Sequence, residues 1–260
     1  MALKIISDIH GEYTALSSEL GPEDTGVLLG DYLNLVDFRT LDGILSQVYS
    51  REQVIKALLE LKKGGKGPAR KPIQDIVGAD PEKYRQVLEL MRESYTEFFA
   101  SLPCFCYLIY GNTDSPQMMR ELAGGNVEII EAGVVELEGL RFGLVSGSPG
   151  GPWSVGLPGE VTTEEYQQKV ESIGPVDVLC SHFPPAIPDL TWDLLANRDE
   201  AGSEALLTYL DENRPTHHYF GHVHNPRESS MCYGPTRLVN AGFFKQHKSA
   251  IVHPAGEPCE

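Results

Sequence analysis

The stretch "CFCYLIYGNTD", Cys104 to Asp114, is an apolar run that stops abruptly in Gly111, Asn112, Thr113 and Asp114. Strand-forming residues of this kind read as a buried strand. A buried strand that ends on an amide and a carboxylate raises the question of what those groups meet. Four other strand-like runs end in the same way. "LKIIS" runs into Asp8, with His10 two residues on; "VLLG" into Asp31; "VDVLCS" into His182; and "HHYFG" into His222, with His224 two residues on.

In α/β sheets, binding sites form beyond the carboxyl ends of the strands. Seven side chains, Asp8, His10, Asp31, Asn112, His182, His222 and His224, are therefore predicted to converge on one rim. In extended chain, residues i and i+2 point to the same side, so Asp8 with His10, and His222 with His224, each present two groups together. Gly11, Gly30, Gly111 and Gly221 permit the tight turns and close backbone approach this needs. Seven oxygen and nitrogen donors exceed what one ion takes from side chains; two ions sharing a carboxylate use them economically. A donor set of Asp, Asn and His without thiolate suits manganese first, with iron, zinc or nickel as alternatives. Two such ions roughly 3.5–4 Å apart polarise a phosphoryl oxygen and activate a bridging water for in-line attack.

Strands alternate with helical segments along the chain. "GEYTALSSEL" has helical character up to Gly21-Pro22, and apolar spacing from Leu41 to Leu61 predicts a long helix. Another is predicted from Pro81 to about Ser101, with Asp80 as N-cap and Pro81 at the first position. Further on, "NVEIIEAGVVELEGLRFGLVSG" reads as short strands turning at Glu138-Gly139, and Thr162 or Thr163 caps a helix ending at Gly174. The chain reads as one α/β domain over 1–260, with residues 37–101 as a helical insertion.

The formal net charge of −16, from 37 acidic and 21 basic residues, repels phosphate backbones at long range. Broad nucleic-acid or membrane binding is disfavoured, while a small anionic substrate is not. No apolar run approaches the roughly 20 residues of a membrane span. Five cysteines without a CxxC pair read as free thiols, several of them buried, in a cytoplasmic protein. Oligomeric state is not legible.

The ordered motifs "DIH" (Asp8 to His10), "GDYLN" (Gly30 to Asn34), "GNTD" (Gly111 to Asp114), "SH" (Ser181-His182) and "GHVH" (Gly221 to His224) resemble the calcineurin-like metallophosphoesterase superfamily. The resemblance implies a two-sheet α/β sandwich flanked by helices and a dinuclear metal site. By position, Asp8, His10 and His224 would hold one ion and Asn112, His182 and His222 the other, with Asp31 bridging them. Asp31 and Asn112 would be catalytic, hydroxide between the ions attacking the ester. "NAG", Asn240 to Gly242, is similar to an Asn-Pro-Gly element of small bacterial members and carries no assigned role.

Two departures narrow this expectation. "GDYLN" does not continue into the Asp-Arg-Gly of protein-phosphatase-like members, which argues against a Ser/Thr phosphatase or a related dinucleotide hydrolase. Thr113 stands where the family usually has a His, and a threonine cannot act as a general acid near neutral pH. Several small bacterial and archaeal members that lack this His resemble phosphodiesterases. The expectation is a phosphodiesterase, with a monoesterase of a small phosphorylated metabolite next. The alternative of a different class is a non-catalytic metal-binding scaffold acting in protein–protein interaction.

Several residues keep two readings. Asp114 either orients Asn112 or a His ring, or caps the helix "SPQMMREL". His217 and His218 either replace the missing acid or pack. Thr113, Asn112, His217 and Trp153 are the substrate-binding candidates, Trp153 within the Gly/Pro loop Ser148 to Gly159. The basic stretch Lys62 to Pro72 is either a phosphate-attracting lid or a solvated loop. His247 and His253 are expected at the surface.

Overall fold

The computed structural model describes residues 1–37, 39–62, 80–150, 156–256 and 259. Trp153 and the basic stretch beyond Lys62 lie outside them.

The first sheet holds β1 (Leu3–Ile6), β2 (Thr25–Leu28), β3 (Phe105–Leu108) and β4 (Val127–Ile129), all parallel. The second holds β5 (Ala132–Leu137), β6 (Leu140–Val145), β7 (Val178–Ser181), β8 (His217–Phe220), β9 (Ser230–Tyr233) and β10 (Thr236–Asn240) in the order β9-β10-β8-β7-β6-β5. Its central strands β6, β7, β8 and β10 are parallel, and β5 and β9 add antiparallel edges. A last strand, β11 (Ile251–Val252), returns antiparallel along β1 to complete the first sheet. The β5–β6 hairpin turns at Glu138-Gly139, both with positive φ (52° and 78°), as a two-residue turn of matching twist requires.

Alternation along the strands sorts the core into layers. Ile5, Val27 and Ile109 face Phe142, Leu144, Val178, Cys180 and Tyr219 across the gap between the sheets. Their neighbours Ile6, Leu28 and Leu108 face outward under helices. Those helices are α1 (Tyr13–Glu19), α2 (Ile44–Val48), α3 (Arg51–Lys62), α4 (Pro81–Ala100) and α5 (Pro116–Leu122). Val145, Leu179, Phe220 and Leu238 face outward under α6 (Thr163–Ser172) and α7 (Glu204–Asn213). The architecture is a mixed α/β sandwich of two sheets flanked by helices.

Local chemistry explains the helix limits. Asp80 accepts from the backbone of Glu82 and Lys83 at the start of α4, with Pro81 at its first position. Thr162 and Glu165 cap α6 reciprocally. The single helix predicted from Leu41 to Leu61 is instead two. Tyr49 is extended between α2 and α3; the Ser50 N–H donates to Gln53 Oε1 at 3.1 Å and the Gln53 N–H to Ser50 Oγ at 3.3 Å. That Ser-x-x-Gln cap starts α3 afresh, although apolar periodicity runs through the break.

Two further expectations, on the cysteines and on His253, are corrected. Cys232 and Cys259 form a disulfide, while Cys104, Cys106 and Cys180 are buried free thiols. The cysteines therefore do not argue for a reducing compartment. Among the described residues no helix is long and apolar enough to cross a membrane. His253 is buried, not exposed; its Nδ1 lies 2.8 Å from the Tyr219 hydroxyl and its ring packs on Phe142.

His217 is not brought to the strand rim. It stands at the start of β8, its ring parallel to that of Tyr219 and 5.2 Å from that of His253. His222 lies five residues further along, roughly 16 Å at strand rise. His218 points the other way, where Ser181 Oγ donates to the Phe183 carbonyl and so accepts from His218 Nε2 at 2.8 Å. Both histidines pack, His217 on Tyr219 and His253, His218 on Ser181.

Burial pushes the His218 pKa down to about 3, and burial together with His217 pushes His253 down to about 4. The unfolded chain binds these protons near pH 6.5 and the folded chain does not, so stability falls as pH drops below that value. Urea unfolding is expected to show a falling midpoint between pH 7 and 4.5. His218→Gln, which retains a donor for Ser181, should flatten the slope by about 1.4 kcal/mol per pH unit. An unchanged slope would remove His218 from the account.

Candidate metal centre

Each strand at the rim ends in a turn that re-aims the chain. Asp8, His10, Asp31 and His222 all have positive φ (56°, 44°, 57° and 70°). That conformation is unfavourable for residues other than glycine and persists where the surroundings enforce it. Here the backbone does so: Asp8, His10 and Gly11 donate to the carbonyls of Gly30, Asp31 and Tyr32 at 2.9–3.1 Å. The turns after β1 and β2 are thus laced together.

The side chains meet in two groups. In the first, Asp8 Oδ1 lies 3.3 Å from His224 Nε2 and 3.8 Å from His10 Nε2, and the two imidazole nitrogens are 3.2 Å apart. In the second, Asn112 Oδ1 lies 3.1 Å from His182 Nε2 and 3.0 Å from His222 Nδ1. Asp31 stands between them, Oδ1 at 3.6 Å from His182 Nε2 and Oδ2 at 3.9 Å from His10 Nε2.

Hydrogen bonds fix what these groups can donate. His10 Nδ1 donates to the Leu33 carbonyl and His182 Nδ1 to the Leu29 carbonyl, since a carbonyl only accepts. In the neutral form both rings therefore present an Nε2 lone pair to the site. Burial, then the neighbouring His182, pushes the His222 pKa down to about 3, so the His222 ring is neutral at pH 7. Burial alone would raise the Asp8 pKa, but His10 and His224 outweigh it and hold the carboxyl well below its usual range. Asp8 Oδ1 is buried without a hydrogen-bond partner. An ionised oxygen left unpaired beside two imidazoles fits a cation.

The donor atoms of Asp8, His10 and His224 lie within 4.8 Å of one another, as do those of Asp8, Asp31 and His182, and either group could hold a metal ion. Space for this exists only because glycines line the site. A Cβ on Gly111 would fall 2.2 Å from Asp31 Oδ1 and 2.7 Å from His182 Cε1, and one on Gly221 would fall 2.4 Å from Asp8 Oδ2.

Residues 1–226 match the calcineurin-like phosphoesterase family. The chain belongs to that family. One solved crystal structure is similar in fold, with 16% identity over 94% of this chain and 91% of its own, and a TM-score of 0.57. TT1561 of Thermus thermophilus covers 96% of each chain at 11% identity and a TM-score of 0.48. The protein of unknown function AQ665 from Aquifex aeolicus, at 16% identity over 96% of this chain and 95% of its own, has a TM-score of 0.42. No curated protein matches the chain.

Two positions of the Gly111–Asp114 stretch behave unexpectedly. Thr113 donates its backbone N–H to Asp31 Oδ1 at 3.0 Å, while its hydroxyl is buried without a partner. Asp114 does neither job predicted for it. Its carboxylate hydrogen-bonds neither Asn112 nor an imidazole, and Ser115 caps the helix instead. Its Oδ2 accepts from the backbone of Asp31 and Gly111 at 2.8 and 2.9 Å. Its Oδ1 accepts from the backbone of Tyr32 and the Tyr95 hydroxyl, each at 3.1 Å. Burial, then Asp31, raises its pKa to about 6. Asp114 thus fastens the ends of β2 and β3 together, with Tyr95 of α4 as an anchor. Nothing in the sequence marked Tyr95, which reads as an ordinary apolar-face residue of a helix.

Asp114→Asn loses half of this acceptor capacity. We expect it to cost about 2–3 kcal/mol of stability and to weaken metal binding about 10–100-fold, measured by urea unfolding and calorimetric metal titration. Gly111→Ala should abolish metal binding at the Asp31 side, because its methyl meets a carboxylate and a ring rather than a movable chain end. Unaltered metal titration in both variants would contradict the geometry.

Proposed function

We propose that this protein is a dinuclear metal-dependent phosphoesterase that acts preferentially on phosphodiesters. The observation that carries the reading is Asp31, whose two oxygens face different imidazoles, one in each donor group. Asp8, His10 and His224 would hold one ion, and Asn112, His182 and His222 the other, with Asp31 shared. The chemistry supplied by a bound pair of divalent ions is polarisation of a phosphoryl oxygen and a hydroxide nucleophile at neutral pH.

The chain's own part is orientation and charge. The Nδ1–H bonds of His10 and His182 to carbonyls hold the rings in one tautomer. Asp114 and the Thr113 N–H fix Asp31 from two sides. Asn112 closes the second group and brings the backbone of its loop to the reacting centre. No proton donor stands at position 113, and Lys245, tied to the Asp8 carbonyl through its backbone, has its ammonium 2.7 Å from Asp37. His217 lies away from the rim, and His218 is fully buried against Ser181. With no acid among the described residues placed to protonate it, a leaving group departs largely as its own anion, which favours diesters with acidic alcohols over monoesters of ordinary ones.

Thr113 is also what favours a second reading, a metal-binding scaffold of the same fold without turnover. Metal analysis and a panel of mono- and diesters with added manganese separate the two. The expected result is two ions per chain and diester turnover, falling at least about a hundredfold in Asp31→Asn. Rate should rise steeply as leaving-group pKa falls. Two bound ions with no turnover of any ester would favour the scaffold. A flat leaving-group dependence would mean that another acid takes part.

A further inference from the structure

The two loops that leave the rim after His182 and His224 carry a small ribbon between them. Trp192–Asp193 pairs antiparallel with Arg198–Asp199. The Leu194 N–H donates to the carbonyl of Asn225 at 2.8 Å, and Asn225 is the residue after His224. Asp193 bridges Pro226 next to it. The tip is held in shape by Asp193 Oδ1, which accepts from the backbone of Leu195 and Ala196 at 2.8 and 2.7 Å. This fixed tip presents Leu194 and Leu195 at 56% and 63% exposure.

Next to this ribbon the site is open to solvent at His224. The His224 side chain is 30% exposed, against 12% for His10, 5% for Asp31 and none for Asp8 and His182. Beside the leucines, Arg227 lies over the Trp192 ring at 4.7 Å and only 3.9 Å from Asp189. The lip thus combines a leucine pair with a guanidinium. A phosphodiester has the matching pattern of one negative charge and two ester arms.

We propose that Leu194 and Leu195 determine substrate specificity, forming a wall that receives an apolar arm, aryl or alkyl, of the diester. This inference rests on the phosphoesterase reading above. An exposed leucine pair held rigidly by backbone bonds gains by covering an apolar group, and the bond to Asn225 puts the ribbon next to His224. A sugar or charged alcohol would gain nothing from that wall, so the substrate class is a diester of an apolar alcohol.

The test compares bis(4-nitrophenyl) phosphate with methyl 4-nitrophenyl phosphate on the metal-loaded protein. Both release the same leaving group, so their difference reports the retained arm. Binding of diphenyl and dimethyl phosphate, measured by calorimetry, supplies a readout apart from turnover. The wild-type chain should prefer the aryl arm about tenfold or more in both assays. The preference should fall at least about fivefold in the double variant Leu194→Ser, Leu195→Ser, whose sites are exposed and leave the core intact. Aryl preference in binding without turnover of either ester would sink the enzyme reading and keep the wall. Turnover of both esters without aryl preference, or an equal loss on both in the variant, would overturn the wall. So would a variant that changes self-association by sedimentation but not ester selectivity, which would assign the leucines to a second copy of the chain.

Discussion

One carboxylate joins the two sheets where the site lies. Asp8, at the end of β1, accepts the backbone N–H of His222, beyond the end of β8, on Oδ2 at 2.9 Å. Its other oxygen faces His10 and His224. A neutral side chain could make the first contact but not the second, and a more exposed acid could make the second but not the first. The rim is therefore both a seam of the sandwich and a nest of donors. Gly221 and Gly242 bring backbone so close that a Cβ on either would fall 2.4 Å from Asp8 Oδ2.

This arrangement is costly to the chain without a cation. Buried carboxylates at Asp8, Asp31 and Asp114 repel one another, and left-handed backbone at four donor residues adds local strain of order 1–3 kcal/mol each. The surrounding sheets over-determine the conformation: apolar strands on both sides leave the turns no other place to go. A ligand that binds only the folded arrangement returns some of that cost as stability. Strain, glycine spacing and unpaired donors are three aspects of one requirement, that charged groups be held closer than they would settle alone.

Much of this was legible in the residues, for a physical reason. An apolar run of four to six residues that stops on a ligand-type side chain is a local signal, and five such stops in order leave few alternatives. The helix caps at Asp80 and Thr162 were legible for the same reason. What escaped was non-local. The sequence offers Asp114 an adjacent helix to cap, yet two of its four partners, the backbone N–H groups of Asp31 and Tyr32, lie on the turn after β2, over 80 residues away. His217 shares a strand with His222, but a strand is long compared with a metal site, so sharing one puts them at opposite ends. Tyr49-Ser50 broke a helix whose apolar spacing continued across the gap, although Ser50 and Gln53 carried the cap in plain sight. The carbonyls of Leu29 and Leu33, which fix two imidazole tautomers, have no sequence signature.

The end of the chain has a consequence of its own. β11 lies at one border of the first sheet, along β1, and seven residues later Cys259 is bonded to Cys232 on β9, the border of the second. β11 and the disulfide thus tie the borders of the two sheets together, and His253 packs in the gap between them on Phe142 and Tyr219. With the bonded cysteines 27 residues apart in sequence, the ring so closed is worth about 3–4 kcal/mol by chain-entropy reasoning. It also occupies β1's free border, where a strand from another molecule would otherwise add. Breaking the disulfide would loosen the sandwich first at the end remote from the rim where the candidate ligands gather, so the two ends of the same strands answer to different restraints: a nest of buried donors at one, a covalent clasp at the other.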